Sequence, residues 1–592
     1  MKILWILSAG LLALLSRLAK VEAQTTCGSR LRKDWDMMTA TEKTTYKNAI
    51  AAAMDSGDYI KFVEMHTEMR SEMEAHRQCM FIYWHRLFLV VFENMLRGQG
   101  AAYACVTVPY FNWIVASARV TAGTCTSFAN CMAITSDLGG YTSGVQRTLA
   151  INGINNSGRC VTTWPLSRFC QLSSTTGSAC ARCVPRSNWS QARVPSVTGY
   201  ASVRQQVFNG KNIGQMSPLV EQGCHNNVHA NLDSTMGTFA SPSDPIFWSH
   251  HAMIDLLHVV FHKCRVGTAR LTFAQKASNP VAWTSCARRD SGVFSPTDVI
   301  TMRTGERGIN PIPGSTDPKI GKYFSGVPNQ FAGLMDVRDL GSSSYGYYIS
   351  GQVATMYTQC DASPTSRKLE ETTATNSTSK PAMCGVAEDD GYDADGNDYA
   401  SQNNFPETDY TGQDDGHQDI VVVDNSGKPV DANTPIDVYV TDDSEKRVVN
   451  WYDQTIEAMG GDSHDNMADL ERQACMFEHV CLGGTQGYSP EFQEIWKVKE
   501  PRCKIIVDAI MNGSQPIIYE SWRQDMESHF GCPEPTNSTN VTSYSGSWGS
   551  SDGTTSYTVV GSQESVENSN DTIQFPDGDS SATVATVSTW DT

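Results

Sequence analysis

The chain has 592 residues, too many for one ordinary core at roughly 100 to 200 residues per domain, so two or more units joined by linkers are expected. A formal charge of -19 argues against nucleic acid or an anionic membrane surface as the main partner. Eighteen cysteines point to an oxidising compartment, where disulfides persist.

Residues 1–23, MKILWILSAGLLALLSRLAKVEA, combine an early Lys2, an apolar run and Val21-Glu22-Ala23 as a small-residue cleavage site. They read as a signal peptide, which predicts a secreted, extracellular protein. No later stretch is long and apolar enough to cross a bilayer. Asn-x-Ser/Thr acceptors at Asn155, Asn188, Asn376, Asn512, Asn537, Asn540 and Asn570 suit a secreted glycoprotein.

Residues 24–360 form the first predicted domain, rich in aromatics and cysteine, with helical periodicity over 58–98 and 244–265. Between these blocks, residues 120–200 are full of Gly, Ser, Thr and Cys and predict a disulfide-pinned loop region. Residues 361–418 have linker composition followed by an acidic run. Asp393, Asp395 and Asn397 imitate the start of a calcium loop, but Asp398 and Asn404 stand where Gly and Glu are needed, so a solvated acidic linker is the better reading. Residues 419–533 predict a small, mainly helical second domain: two strands around a turn in 420–440, then amphipathic helices to about Phe530. The half of the chain after residue 361 holds five cysteines, Cys384, Cys475, Cys481, Cys503 and Cys532, an odd number, so Cys384 is expected to pair with Cys360 or one bridge to cross between the halves. Residues 534–592 are Ser/Thr-rich and expected to be disordered.

The chemistry lies in the histidines. His66, His76 and His85 form one cluster; His225 and His229 join His250, His251, His258 and His262 in the second. Two imidazoles four residues apart leave a helix on one face, so His225 and His229 can reach one metal, with a third ligand from a helix packed against theirs. Neutral imidazole suits copper, zinc, iron and nickel. Zinc is disfavoured because H-E-x-x-H and paired Cys-x-x-Cys patterns are absent, the lone Cys180-x-x-Cys183 lying in the disulfide-pinned region.

His76, eight residues, then WHRLFLVVFE around His85 resembles the first copper motif of tyrosinases and related type-3 copper proteins. CHNNVH followed by SPSDPIFWSHHAMID resembles the second, and YGYYI at 345–349 resembles the tyrosine motif that closes the family's catalytic domain. The resemblance covers Arg32 to about Gly351. It implies a mainly α fold built on a four-helix bundle with a pair of copper ions at its centre, one held by His66, His76 and His85 and the other by His225, His229 and His251.

Because a helix turns about 100° per residue, His250 and His251 are not both expected to face one metal, and the family pattern selects His251. His250 is then a neighbour that shapes the site. Asp255 shares the His251 face and is expected to hold a ligand imidazole or a nearby Arg. His258 and His262 read as core packing. The resemblance further implies dioxygen and small phenols as reaction partners: monophenols oxidised to o-diphenols, and o-diphenols to o-quinones. Glu221 and Asn226 match the places where the family holds a water able to deprotonate a phenol. Glu74 stands where fungal relatives carry a thioether cysteine, so no thioether is expected, and Cys79 and Cys224 are read as disulfide partners. The C-terminal helices could cover the mouth of the site. The alternatives are catechol oxidation alone, reversible dioxygen carriage as in haemocyanin, and a structural protein that has lost its copper.

Overall fold

The computed structural model describes residues 27–361, 420–424, 428–430, 440 and 442–532, apart from 284–285 and 462, together with the backbone of 541–550 and 553–562. The expected signal peptide, Cys384 and the calcium-like Asp393, Asp395 and Asn397 lie outside these residues.

Helix α1 (Ala40–Ser56) starts at a capping box, in which Thr39 accepts from the Glu42 amide and the Glu42 carboxylate accepts from that of Thr39; it stops at left-handed Gly57. The block expected as helical over 58–98 is three helices: α2 (Tyr59–Thr67), α3 (Met69–Ala75) and α4 (Phe81–Arg97). The break falls at His76, which is extended, followed by Arg77 at φ 57° and by Cys79, tied to Cys286. Helix α4 is buried almost all round, as a central helix must be. Next come α5 (Trp113–Thr121), α6 (Tyr200–Phe208), α7 (Ile213–Val220), α8 (Asn226–Leu232) and α9 (Ile246–Arg265). Trp248 of α9 lies flat on Phe92 of α4, with ring centroids 3.5 Å apart, and locks the two central helices together.

The expected loop region contains Cys125–Cys131, Cys160–Cys183 and Cys170–Cys180, and also an antiparallel sheet that its composition concealed. Its strands are β2 (Val145–Ile151), β3 (Ile154–Val161) and β4 (Val184–Arg186). Strands β2 and β3 meet at Asn152-Gly153, both with positive φ, which is the tight turn that an Asn-Gly pair favours.

The helices expected as a separate second domain are α11 (Asp443–Ala458), α12 (His464–Cys481), α13 (Pro490–Trp496), α14 (Arg502–Met511) and α15 (Trp522–Phe530), after α10 (Gly351–Gln359) of the first segment. They pack into the same compact unit as the first segment, which ends at Pro533. Trp451, Leu470 and Phe477 belong to the same buried cluster as the residues of α4 and α9. The two segments also share a sheet: β1 (Leu31–Lys33), β5 (Gly346–Ile349), β6 (Ile420–Val423) and β7 (Pro429–Val430) lie in that order, with β5 and β6 parallel. Beyond Val430, the second strand expected in 420–440 falls outside the described residues except for Val440.

Cys264, not Cys384, is the partner of Cys360, because the C-terminal ends of α9 and α10 meet, where Lys263 also donates to the Tyr357 carbonyl at 2.7 Å; Cys475–Cys503 and Cys481–Cys532 complete the C-terminal helices without crossing between segments. Within the tail expected to be disordered, β8 (Val541–Ser550) and β9 (Gly553–Ser562) pair antiparallel as a second unit, consistent with their Thr, Tyr and Val content around Ser-Asp-Gly. Among the described residues no helix is long and apolar enough to cross a membrane.

Candidate dicopper site

Five helices and one π-turn bring six of the predicted histidines together. His66 ends α2, His76 caps α3, His85 lies one turn into α4, His225 closes a π-turn before α8, His229 sits in α8, and His251 lies in α9. They form two groups of potential metal ligands: His66, His76 and His85; and His225, His229, His250 and His251, the ligand atoms of each within 4.8 Å of one another. The groups abut where the His85 and His251 rings stack 4.3 Å apart.

Backbone and amide acceptors fix how the rings present themselves. The Nδ1 atoms of His66, His85 and His229 lie 2.8, 2.9 and 2.6 Å from the carbonyls of Phe239, Phe81 and Met236, and that of His225 lies 2.9 Å from the Asn226 Oδ1. Each contact places the ring proton on Nδ1 and leaves Nε2 with a lone pair. The Nε2 atoms of His66, His76, His85 and His225 are buried without a hydrogen-bond partner, and those of His229 and His251 are 3.5 Å apart. Burial pushes His66 down to about 3 and His229 to about 4, so both rings stay neutral at physiological pH, as ligands must be. So many converging, unspent imidazole nitrogens in a dry site fit a pair of metal ions.

The turns that deliver the ligands need particular residues. The π-turn Glu221–His225 carries Gly223, where a Cβ would lie 2.2 Å from the Gln206 Oε1; that oxygen accepts from the Cys224 amide at 2.8 Å. The free, buried Cys224 is therefore no disulfide partner: its turn is packed against α6, away from any second thiol among the described residues. Glu221 Oε1 accepts from the amide of left-handed Arg77 at 2.6 Å and so steadies the residue that follows His76, while its Oε2 is buried without a partner. Burial pushes the Glu221 carboxyl up to about 8. Cys79 is in a disulfide, as expected, and its partner is Cys286; Glu74 accepts from the Thr301 amide instead of meeting a histidine.

Asp255 holds no imidazole. It accepts from Arg86 Nε at 2.6 Å, Arg32 Nη1 at 3.1 Å and the hydroxyls of Tyr345 and Tyr347, both at 2.6 Å. Burial works against its charge, but Arg86 and Arg32 hold the carboxyl below its ordinary range. The network ties α4, α9, β1 and the YGYYI strand together beneath the ligands. His250 is not turned out of the cluster by its helical position: its ring stacks on His225 with centroids 5.3 Å apart, because an imidazole on a short stem reaches across more than the angle between Cβ atoms. His258 packs edge-on against Tyr83 and His262 is half-buried at the end of α9; neither joins the ligand groups.

Trp496, the last residue of α13, carried no signal in the sequence beyond an apolar position on an amphipathic helix. Its ring lies 5.2 Å from His76, 5.8 Å from His225, 5.0 Å from His229 and 5.1 Å from Phe239, and it is 2 % exposed. Its Nε1 donates to the Gly237 carbonyl at 2.8 Å. Tyr488, whose hydroxyl accepts from Asn227 at 2.9 Å, and Phe492 stack behind it.

A helical core around two abutting groups of potential metal ligands is the arrangement of a metal-binding protein. The family model for the common central domain of tyrosinase matches residues 56–263. The tyrosinase of Streptomyces glaucescens is 29% identical over 258 residues, covering 41% of this chain and 86% of that protein. The tyrosinase of Streptomyces lincolnensis is 30% identical over 243 residues, covering 38% and 80%. An N-acetyl-6-hydroxytryptophan oxidase of Emericella nidulans is 24% identical over 297 residues, covering 42% and 79%. The chain belongs to the tyrosinase family, copper oxidoreductases that act on phenols with dioxygen, and it is an enzyme of the tyrosinase and polyphenol oxidase type.

Proposed function

We propose that this protein is a secreted, latent phenol oxidase that holds two copper ions, one on His66, His76 and His85 and the other on His225, His229 and His251, and converts monophenols to o-diphenols and o-diphenols to o-quinones. The observation that carries the reading is the pair of buried imidazole groups meeting at the stacked His85 and His251 rings, with their Nε2 atoms unspent. Copper bound there supplies the two-electron exchange with dioxygen. The protein's share is to fix ring orientation through the Phe239, Phe81, Met236 and Asn226 oxygens and to keep bulk water out. Asp255 acts as a strut beneath the ligand helices, and His250 shapes the second group.

A phenol hydroxyl has a pKa near 10, so binding it as phenolate at neutral pH benefits from an acceptor close by. The free Oε2 of Glu221 and the amide of Asn226 are the groups we assign to a water in that role, which would extend the substrate range from diphenols to monophenols. Trp496 makes the protein latent by filling the approach to both histidine groups, and the disulfide-rich C-terminal helices hold it there. Secretion fits the eight disulfides among the described residues.

The test is metal analysis of purified protein, followed by absorption after hydrogen peroxide is added. Copper in a twofold ratio to chain and a new near-ultraviolet band support the reading; zinc, or no metal, overturns it.

A further inference from the structure

Away from the histidine groups, the junction of α2 and α3, the hairpin turn between β2 and β3 and the segment 303–311 border an open cavity of about 740 Å³, a volume that suits a short peptide. Arg70 of α3 and Arg303 and Arg307 of the segment line it, and Glu68 is the one carboxylate among its lining residues. Glu68 accepts from the Ser71 amide and hydroxyl, both at 3.0 Å, and stands 3.8 Å from Arg303, which also donates to the Pro311 carbonyl at 3.4 Å. The guanidinium groups of Arg70 and Arg307 make no hydrogen bond or ion pair among the described residues. The carboxylates near them are engaged elsewhere. Asp290, near Arg70, accepts from the Ser291 amide, and Glu306, near Arg307, accepts from the Ser173 hydroxyl and from the amide and hydroxyl of Ser174.

Arg307 is fixed although its charge is unspent. Its backbone is left-handed at φ 55°, uncommon for a residue with a Cβ, and its amide donates to the Asn152 Oδ1 in the hairpin turn at 2.6 Å. A Cβ on Gly153 would meet the Arg307 Cγ at 3.7 Å, so the stem of the side chain lies along that turn. Apolar groups share the rim: Met69 is 67 % exposed, and Ile309, between Gly308 and Pro311, is 65 % exposed. A compact oxyanion needs donors that converge on it, whereas these charges come from two stretches of chain with apolar side chains beside them. An extended ligand carrying several carboxylates and apolar side chains matches that spread. The formal charge of -19 does not oppose it at contact range, because salt screens charges beyond about 8 Å.

We propose that this cavity docks an acidic peptide segment of a protein partner, with Arg70 and Arg307 pairing its carboxylates and Met69 and Ile309 covering its apolar side chains. The site is separate from the histidine groups and does not rest on the copper reading.

The test is fluorescence anisotropy of a labelled, end-capped peptide of mixed Glu and Leu, titrated with full-length wild type and with the Arg70→Ala/Arg307→Ala protein. Wild type should bind it about tenfold more tightly than the double variant does, and more tightly by a similar factor than it binds the analogue with Gln for Glu, because two charge-assisted contacts at an exposed site are lost in each case. Equal binding by the two proteins, equal binding of the two peptides, or no binding overturns the proposal. Unlabelled peptide should displace the probe, whereas inorganic sulfate and a sulfated disaccharide at the same concentration should not. Displacement by either to the same extent as by the peptide assigns the arginines to a compact anion or a glycan and overturns the proposal. If the double variant fails to fold, Arg307→Gly, which suits the left-handed backbone, takes its place, and an affinity equal to that of wild type overturns the proposal.

Discussion

Single side chains divide into those that hold metal, those that aim the holders and those that pack. His251→Ala should halve copper content and abolish oxidation, whereas His262→Ala, at the end of the same helix and outside both groups, should retain both; equal loss in the two would refute the ligand assignment. Glu221→Gln keeps an oxygen for the Arg77 amide but changes the free oxygen we assign to the water. It should lower monophenol turnover by about 10²-fold, the scale of general-base catalysis, and leave o-diphenol turnover within a few fold. A parallel fall in both would reduce Glu221 to a support for the His76 turn. Asp255→Ala leaves Arg32 and Arg86 buried without their shared anion and should cost about 3–5 kcal/mol, read as a fall in unfolding midpoint in denaturant with copper absent. These residues were legible to different degrees. Spacing and motif singled out the six histidines that the structure brings together, and Asp255, because two imidazoles four apart leave a helix on one face and the motifs carry the rest. Cys224 was misread because adjacency to a histidine says nothing about which way a π-turn points a thiol.

At the scale of elements, the C-terminal helices act on the site through α13. Trp496→Ala should raise o-diphenol oxidation at least tenfold over full-length wild type; unchanged activity would show that the indole does not limit access. Cutting the chain near residue 380 would not isolate this effect, because it strips β6 from the shared sheet and bares apolar surface on α5 and α6. The same interface predicts a pH dependence. Burial raises the Glu445 carboxyl to about 8, against the Gln352 amide with Asp442, Asp34 and Arg119 around it. Burial raises the Glu478 carboxyl to about 7, against the Ser196 amide with Arg193 nearby. Both pKa values lie above the ordinary value of 4.5, so docking of these helices binds protons. The stabilisation is full below about pH 4.5 and is lost as pH rises through 7 to 8. The ratio of wild-type to Trp496→Ala activity should therefore climb between pH 5 and 9, and Glu445→Gln should flatten the climb. A ratio independent of pH would exclude these carboxyls from the latch.

At the scale of the whole molecule, metal and fold should be linked without depending on each other wholly. The described core rests on aromatic packing, eight disulfides and the Asp255 network, so chelation of copper should lower the thermal midpoint while leaving far-ultraviolet dichroism in place. Collapse of the helical signal on chelation would mean that the histidine groups cannot be held apart without metal. What the sequence by itself determined was the local chemistry: helical periods, the spacing of the histidines, a disulfide-bonded Cys79, and a family whose two copper motifs each span a few dozen residues. Only the tertiary structure decided the β2–β3–β4 sheet, the Cys264–Cys360 bridge, the fusion of the two segments into one core, and Trp496 against His76 and His229. The physical reason is range. Periodicity and motif spacing record contacts within a helix or between neighbouring turns, whereas a tryptophan that seats itself on histidines more than 260 positions upstream leaves, in its own stretch of chain, only the mark of one more apolar residue.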